Sequence, residues 1–222
     1  LLDDYDAVFL GFGMSGVNSL GIDGENLDNV IDAVDYIAKI RQAEDVATVP
    51  MGKDVVVIGG GSTAIDIAVQ SKRLGAENVT MVYRRGTENM NATWKEQKFA
   101  QENGVNIKTW AKPESISGDS AVQTIKFEYT ESDGGKLKGK GEHFELKADM
   151  VFKAIGQKLN IEKDLGLDIS NNKITVNPET FETTLKGVYA GGDCVFDNDL
   201  TVVSVGQGKK AAVAIHKSLG GQ

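Results

Sequence analysis

The feature that most constrains this chain is a run of apolar residues that ends in three glycines. Residues 54–58 read Asp-Val-Val-Val-Ile, and Gly59, Gly60 and Gly61 follow directly. Four apolar β-forming residues in succession predict a strand that is buried on both faces, as in a parallel sheet. Residues 64–70 then predict the start of a helix. We therefore expect a strand, a tight turn and a helix in this order.

This segment matches the G-x-G-x-x-G/A fingerprint of dinucleotide-binding proteins at Gly59, Gly61 and Ala64. Gly59 is expected to permit the turn, Gly61 to let the backbone approach a pyrophosphate, and Ala64 to keep the helix close to the strand. The free N–H groups of the first helical turn, from Ser62 and Thr63 onward, would face the phosphates. A glycine triplet alone could be an ordinary flexible turn, but the flanking strand and helix favour dinucleotide binding.

The end of the next predicted strand indicates which dinucleotide binds. That strand covers residues 79–83, and Arg84 and Arg85 follow it. A unit specific for NAD carries an Asp or Glu at about this place, which binds the ribose 2′-hydroxyl. Two guanidinium groups instead suit a 2′-phosphate, because arginine forms bidentate, charge-assisted hydrogen bonds with phosphate. The pair could also be solvated surface side chains, but it stands out in a chain of formal net charge −8 and predicts NADP(H).

The composition is that of a soluble globular protein and argues against several functional classes. A net charge of −8 disfavours nucleic acids and anionic membranes as partners. No apolar run approaches the roughly 18 residues of a membrane span. The single cysteine, Cys194, excludes an internal disulfide, a redox pair and a cysteine metal cluster within the chain. We expect a cytoplasmic location, no metal site, and no catalytic role for His143 or His216.

The remaining sequence pattern predicts a mixed α/β fold. Parallel strands are expected at residues 54–58, 79–83, 105–108 and 150–154, with an antiparallel meander around residues 122–146 whose turn lies at residues 132–135. Further short strands are expected at residues 6–10, 174–176 and 188–190. Helices are expected at residues 30–43, behind a cap at Asn91 or Thr93, and at residues 202–217.

Several motifs, in order along the chain, resemble the two-dinucleotide-binding-domain flavoproteins. Residues 188–193, Val-Tyr-Ala-Gly-Gly-Asp, resemble the second flavin motif of that family, in which the Asp binds the ribityl chain. Residues 154–156, Ala-Ile-Gly, resemble the segment by which such chains leave the pyridine nucleotide domain. Residues 8–13 resemble the strand and turn that lead toward that domain.

Within this superfamily, two parts of the chain resemble particular proteins. Residues 59–66 together with residues 83–90 are similar to the glutamate synthase small subunit. The tail at residues 201–211 is similar to the reductase part of dihydropyrimidine dehydrogenase. Ser62 departs from the pattern, because the family usually has Asn or Asp there.

The resemblance implies an NADPH-dependent flavoprotein oxidoreductase with FAD and NADP(H) as cofactors. Its flavin carries the chemistry, so no catalytic side chain is expected. Electrons would leave to a partner subunit or domain, an iron–sulfur or FMN protein. The residues expected to contact NADP(H) are Gly59, Gly60, Gly61, Ser62, Thr63, Arg84, Arg85, Ala154, Ile155 and Gly156. The residues expected to contact FAD are Gly11, Gly13, Gly192, Asp193, Thr201 and Val202.

The resemblance also predicts the domain organisation. We expect a Rossmann-like, three-layer NADP(H)-binding domain at residues 49–155, flanked by a partial FAD-binding domain formed by residues 1–48 and 156–222. The family's first flavin fingerprint does not occur in this sequence, so the FAD site is expected to be incomplete and the fragment alone inactive. Residues 6–10 are expected to pair with residues 188–190 and to expose their other edge, which would favour self-association.

Two other functions stay open from the sequence. The chain could be a nucleotide-binding module without catalysis, because it carries half of the expected flavin site. A thioredoxin-reductase-like enzyme is a weaker alternative, because the single Cys194 cannot form a redox pair within the chain.

Overall fold

The chain forms two compact units in the computed structural model, which describes residues 2–162, 165–195 and 200–221. The larger unit runs from Asn18 to Gly156, and the smaller unit combines the chain up to Val17 with the chain from Gln157 onward. This division differs from the expected boundary after residue 48. Residues 18–48 belong to the larger unit because they contribute a strand and a helix to it.

The larger unit is built on a five-stranded parallel sheet. Its strands, in chain order, are β3 (Val30–Asp32), β4 (Asp54–Gly59), β5 (Asn78–Val82), β6 (Asn106–Lys108) and β10 (Met150–Ala154). The order across the sheet is β3-β10-β4-β5-β6, and every pairing is parallel. The four expected parallel strands are confirmed, and β3 is an additional edge strand.

The first helix, α1 (Ala33–Gln42), begins later than the sequence predicted. Residues 30–32, which were expected to be helical, form β3 and pair with residues 151–153 of β10. The β-branched Val30 and Ile31 suit a strand, and the hydrogen bonds of β10 are available at this edge of the sheet.

Two further helices follow the glycine loop. Helix α2 (Ser62–Arg73) has Leu74 as its C-cap. Gly75 follows with φ +100°, the conformation with which glycine ends many helices. Helix α3 (Trp94–Glu102) begins with a capping box between Thr93 and Glu96. Of the two expected caps, Thr93 is the one used. Short 3₁₀ turns lie at Val46–Thr48 and Thr87–Asn89.

A three-stranded antiparallel sheet lies between β6 and β10 in the chain. It consists of β7 (Ala111–Ser117), β8 (Thr124–Asp133) and β9 (Lys136–Lys147). Gly134 and Gly135 connect β8 to β9 with φ of +57° and +83°, as a two-residue hairpin turn requires. The sequence did not predict β7, because Pro113 within it disfavours a strand. In the structure, the register between β7 and β8 shifts between Pro113 and Ser115.

The parallel sheet is the middle of three layers. Val55 and Val57 of β4 pack in a core cluster with the helices, whereas Val56 and Ile58 pack in a second cluster with Ile125 and other residues of the antiparallel sheet. Successive residues of a strand point to opposite faces, so an unbroken apolar run fills both cores. This confirms the expected three-layer arrangement.

The smaller unit contains short strand pairs and one long helix. Its elements are β1 (Val8–Leu10) paired with β14 (Val188–Ala190), β2 (Gly16–Val17) with β11 (Gln157–Lys158), β12 (Ile169–Ser170) with β13 (Lys173–Ile174), and α4 (Thr201–Ser218).

β1 pairs with β14, as expected, and the pairing is parallel. Within the described ranges, no strand pairs with the other edge of β1. Self-association through that edge stays a prediction. None of the described helices has the length and apolar character needed to cross a membrane.

Candidate functional site

The glycine loop begins where β4 ends beside β10. Gly59 has φ +150°, and a Cβ atom at this position would lie 2.2 Å from the carbonyl oxygen of Ala154. Gly59 and Ala154 are direct neighbours in the parallel register. Only glycine fits here without moving β10, so the turn expected at Gly59 has a steric cause.

Gly60 is fixed by the segment that follows β5. Its carbonyl accepts a hydrogen bond from the N–H of Ala92 at 3.1 Å. A Cβ atom on Gly60 would lie 2.5 Å from the ring of Tyr83, whose hydroxyl donates to the carbonyl of Asn89 at 2.8 Å. The loop is therefore held against Tyr83, the residue directly before the arginine pair.

Gly61 leaves space for a ligand. A Cβ atom on Gly61 would meet nothing within 4 Å. The N–H groups of Ala64 and Ile65 both donate to the Gly61 carbonyl, whereas those of Ser62 and Thr63 have no backbone acceptor among the described residues. Free N–H groups at the start of a twelve-residue helix attract an anion.

An acidic side chain lies close to this helix start. Glu96 accepts hydrogen bonds from the Thr93 hydroxyl at 2.7 Å and the Thr93 N–H at 2.6 Å. These bonds, and one from the Ser62 side chain, hold the pKa of Glu96 below its usual value despite partial burial. The ionised carboxylate thus engages Ser62, at the position where the sequence departs from the family pattern.

The arginine pair extends from the end of β5 at the carboxyl edge of the parallel sheet. Arg84 is exposed and Arg85 is half-buried. Neither guanidinium forms a salt bridge with any described acidic residue. The carbonyl of Arg84 accepts a hydrogen bond from the Thr130 hydroxyl at 2.8 Å, and that of Arg85 accepts one from the Trp110 N–H at 3.1 Å.

A cavity of about 500 Å³ lies beside this segment. Trp110 and Thr130, the two residues that bond to the arginine carbonyls, both line it. Its other lining residues are Tyr129, Glu131, Ser132 and Lys140.

The segment that follows β10 is held by Asn18. Gly156 has φ +94°, and its carbonyl accepts hydrogen bonds from the Asn18 N–H at 3.2 Å and from Asn18 Nδ2 at 3.1 Å. Asn18 Nδ2 also donates to the carbonyl of Ile155 at 3.3 Å. The structure thus brings Ala154, Ile155 and Gly156 to the same sheet edge as the glycine loop.

A buried ion-pair network lies one residue before Ala154. Lys153 Nζ is 3.1 Å from both Glu25 Oε1 and Asp32 Oδ1, and the Lys153 and Glu25 side chains are 13% and 11% exposed. Burial alone would lower the pKa of Lys153, but its two carboxylate partners raise it overall.

Glu25 also ties down the loop before β3. It accepts hydrogen bonds from the N–H groups of Leu20 and Gly21 at 2.7 and 2.8 Å. Burial alone would raise the pKa of Glu25. The two backbone hydrogen bonds and Lys153 outweigh this effect and lower the pKa below its usual value.

The residues expected to contact flavin lie in the smaller unit. The parallel pairing of β1 with β14 brings Leu10 beside Ala190, so the segments at residues 11–13 and 191–193 leave the same edge. Gly13 and Gly192 have φ of +66° and +83°. The N–H of Gly192 donates to Gln207 Oε1 of α4 at 2.6 Å. Asp193 is half-buried, and its carbonyl accepts a hydrogen bond from Lys173 Nζ.

Helix α4 begins near this edge. A Cβ atom on Gly192 would lie 3.7 Å from Ser204 Oγ, which places the first turn of α4 beside the glycine. Thr201 is exposed, and Val202 is 74% exposed. The structure brings Gly11, Gly192 and the start of α4 into one neighbourhood.

The cysteine is buried and hydrogen-bonded to the backbone. Cys194 is fully buried, and its thiol donates to the carbonyl of Gly191 at 3.3 Å. Burial raises the pKa of the Cys194 thiol. Across the described ranges, no cluster of three or more His, Cys, Asp or Glu residues is arranged to hold a metal ion.

Four residues at these sites were not predicted. Asn18 and Thr130 act on partners 138 and 46 residues away, and nothing local in the sequence indicates such bonds. Trp110 has φ +57°, which periodicity does not reveal. Tyr83 could have been found from the sequence, because it is an aromatic residue directly before the arginine pair.

The chain matches known proteins over nearly its whole length. A family model described as "Pyridine nucleotide-disulphide oxidoreductase" matches residues 3–215. The chain is 36% identical over 239 residues to the glutamate synthase (NADPH) small chain of Escherichia coli strain K12, covering 97% of this chain and 51% of that protein. It is 30% identical over 216 residues to the NAD-dependent dihydropyrimidine dehydrogenase subunit PreT homolog of Salmonella typhi, covering 97% and 48%. These matches confirm the family resemblance.

The solved structures agree on the fold. The thioredoxin reductase of T. acidophilum matches with a TM-score of 0.74 and 22% identity, covering 96% of this chain and 66% of that one. At this identity the match supports the α/β fold alone. The chain spans about half the length of the two curated relatives named above.

Proposed function

Because this chain belongs to the pyridine nucleotide-disulphide oxidoreductase family, we propose that it is part of an NADPH-dependent flavoprotein oxidoreductase. One observation carries the choice of NADPH. The loop from Gly59 to Thr63 lies against Tyr83, so the loop and the arginine pair stand at neighbouring strand ends. This spacing suits a pyrophosphate on the loop and a 2′-phosphate on the arginines.

The residues of the larger unit fit NADP(H). Gly61 leaves the loop open, and the N–H groups of Ser62 and Thr63 would donate to the pyrophosphate. Arg84 and Arg85 would bind the 2′-phosphate through charge-assisted hydrogen bonds. We assign the segment from Ala154 to Gly156, at the same sheet edge, to the remainder of the nucleotide.

The residues of the smaller unit suit part of a flavin site. Gly11, Gly13 and Gly192 provide backbone without side chains at the edge of β1 and β14, and Asp193 would accept hydrogen bonds from ribityl hydroxyls. Thr201 and Val202 would present the start of α4 to the same ligand. A flavin held by these residues would supply the redox chemistry, which is hydride transfer from NADPH and electron transfer onward.

A protein partner is part of the proposal. The two named relatives are a small chain and a subunit, so they work within multi-subunit redox enzymes. We extend this to the present chain and propose an electron-accepting partner with an iron–sulfur cluster or FMN. Cys194 is the single cysteine and is buried, so we do not extend disulfide chemistry to this chain.

The test measures nucleotide preference directly. Calorimetric titration of the chain should give a lower Kd for NADPH than for NADH. The double variant Arg84→Ala/Arg85→Ala should lose most of this difference, by a factor of about ten or more, because each lost charge-assisted bond costs about 1.5–3 kcal/mol.

The matched control is Arg41→Ala/Arg73→Ala, which removes the same charge from two exposed positions elsewhere in the larger unit. It should keep the preference for NADPH. Equal affinities for NADPH and NADH in the unmodified chain would contradict the proposal. A visible absorption spectrum tests the flavin separately, since bound oxidised flavin is yellow. Because the FAD site of this chain is expected to be incomplete, the spectrum is decisive only when a segment with the first flavin fingerprint is joined to the chain. NADPH binding by that fusion, if it stays colourless when FAD is added, would favour a nucleotide-binding module without catalysis.

A further inference from the structure

The backbone that carries the arginine pair is held by the antiparallel sheet. Three successive carbonyls, those of Tyr83, Arg84 and Arg85, each accept a hydrogen bond from that part of the chain. The donors are the N–H of Ala111 at 3.2 Å, the hydroxyl of Thr130 at 2.8 Å and the N–H of Trp110 at 3.1 Å. The end of β5 is therefore fixed by a second sheet as well as by its own.

Thr130 is the centre of this support. It is 3% exposed, so its hydroxyl must find a partner inside the protein, and the Arg84 carbonyl is that partner. The N–H of Thr130 donates to the carbonyl of Trp110 at 2.8 Å. Thr130 thus joins Arg84 to Trp110, which in turn donates to Arg85.

Trp110 adopts an uncommon backbone conformation. Its φ of +57° lies in the left-handed region, which bulky side chains rarely occupy. Such strain persists where surrounding bonds hold it, and it is concentrated at ligand sites and clamps. The hydrogen bonds to Arg85 and from Thr130 hold Trp110 in this conformation.

We propose that Thr130 and Trp110 are positioning residues for the arginine pair. Through them, the antiparallel sheet would set the preference for a nucleotide that carries a 2′-phosphate. The inference rests on the proposed function, because it assumes that Arg84 and Arg85 bind this phosphate. Bidentate recognition requires both guanidinium groups to be aimed, and long side chains are aimed by the backbone that carries them. Trp110 and Thr130 also line the cavity of about 500 Å³.

The test uses two small probes that differ only in the relevant group. 2′,5′-ADP carries the 2′-phosphate and 5′-AMP does not, so the ratio of their Kd values measures recognition of that phosphate. Thr130→Val keeps the shape of the side chain and removes the bond to the Arg84 carbonyl. The variant should lower the preference for 2′,5′-ADP roughly three- to tenfold, the effect of one lost hydrogen bond, while the Kd for 5′-AMP stays unchanged.

Three further variants make the result specific. Thr130→Ser keeps the hydroxyl and should restore the preference. Thr124→Val makes the same change at the first residue of β8 and should have no effect on either probe. Thr130→Ala removes the hydroxyl without placing a methyl group against the carbonyl, and it repeats the test if the valine variant does not fold.

The outcomes separate this inference from the proposed function. If Thr130→Val weakens both probes equally, or neither, Thr130 does not position the arginines and the inference is overturned. If Arg84→Ala/Arg85→Ala keeps the preference for 2′,5′-ADP, the assignment of the arginine pair fails, and the proposed NADPH specificity fails with it. Loss of preference in the arginine variant with full preference in Thr130→Val overturns the inference alone.

Discussion

The two units each contain a parallel strand that ends in glycines, but the surroundings of the two turns differ. In the larger unit, β4 has neighbours on both sides, and α2 begins at Ser62, directly after the turn. In the smaller unit, β14 pairs with β1, and α4 begins at Thr201, well after Gly192. The first turn thus ends a central strand of a complete three-layer structure, whereas among the described residues the second turn is held by individual contacts such as the bond from Gly192 to Gln207.

The helices that follow the two turns, α2 and α4, differ in how much of their surface is buried. Helix α2 buries Ile65, Ile67 and Ala68 among the residues that pack against the sheet. The described part of α4 buries Gln207 and Ala211, and Val202 and Val205 are 74% and 53% exposed. A glycine turn therefore does not by itself make a preorganised site. The layers around the turn fix its geometry before any ligand binds.

The largest effect is expected from breaking the ion-pair network of the larger unit. Lys153→Met leaves the Glu25 carboxylate, which is 11% exposed, and the Asp32 carboxylate, which is 28% exposed, without their cation, and this should lower the free energy of unfolding by about 3 kcal/mol. Urea unfolding at pH 7 measures this loss. Lys147→Met is the matched control, because Lys147 pairs with Asp54 but is 80% exposed, and it should change stability little.

The difference in stability between the unmodified chain and Lys153→Met should depend on pH. Folding lowers the pKa of Glu25, so its contribution to stability is present above the unfolded pKa of about 4.3 and is lost as the pH falls through the lower folded value. Without Lys153, the folded pKa of Glu25 rises and this contribution shrinks. The deficit of Lys153→Met should therefore decrease between pH 7 and pH 4. A deficit that grows as the pH falls would contradict the role given to the network.

The next effect compares the two glycine turns themselves. Gly59→Ala places a Cβ atom 2.2 Å from the Ala154 carbonyl oxygen and should cost about 2–3 kcal/mol of stability. Gly192→Ala also requires a positive φ, but its nearest neighbour is Ser204 Oγ at 3.7 Å, so it should cost about 1 kcal/mol. Chemical unfolding of both variants measures the difference. Equal losses would show that the backbone conformation, not the packed sheet, dominates at Gly59.

The contrast between the units also explains how far the sequence could predict the fold. The strand, turn and helix around Gly59 are encoded within about twenty residues, because one apolar run fills two cores and its glycines stand directly before the helix. Arg84 and Arg85 were chosen as candidates by their place at a strand end. Features of this kind depend on neighbours in the sequence.

Other features depend on distant neighbours and were missed. β3 has three residues and becomes a strand through its pairing with β10, more than a hundred positions along the chain. β7 contains Pro113, which disfavours a strand except at an edge. The bonds from Thr130 to Arg84 and from Asn18 to Gly156 join loops and strands that only the folded chain brings together.

A smaller effect should separate ligand binding from stability in the larger unit. Gly61 has φ −103° and open space around its Cβ position, so Gly61→Ala should change stability by less than about 1 kcal/mol. The added methyl group would obstruct the approach of the pyrophosphate, and the Kd for NADPH should rise about tenfold. Calorimetry measures the Kd. Gly208→Ala in α4, which also has open space, should leave it unchanged.

The smallest effect compares two buried tyrosines, one in each unit, and predicts opposite signs. Tyr36 of α1 is 4% exposed, and its hydroxyl has no hydrogen-bond partner among the residues that the structure describes. Burial raises the pKa of Tyr36, as expected for a hydroxyl in apolar surroundings. Tyr189 of β14 is 2% exposed, but its hydroxyl donates to Ser218 Oγ at 3.2 Å.

Tyr36→Phe removes a polar group that gains nothing in the folded state, so stability should stay the same or rise by up to about 1 kcal/mol. Tyr189→Phe removes a formed hydrogen bond and leaves Ser218 without it, so stability should fall by about 1 kcal/mol. Both substitutions delete the same oxygen atom and keep a ring in a buried position, which makes each the control for the other. Urea unfolding resolves differences of this size when the two variants are measured side by side. An equal loss of stability in Tyr36→Phe and Tyr189→Phe would mean that the Tyr36 hydroxyl has a hydrogen-bond partner in solution. The larger unit would then contain a polar contact at α1 that is as well formed as the contact of Tyr189 in the smaller unit.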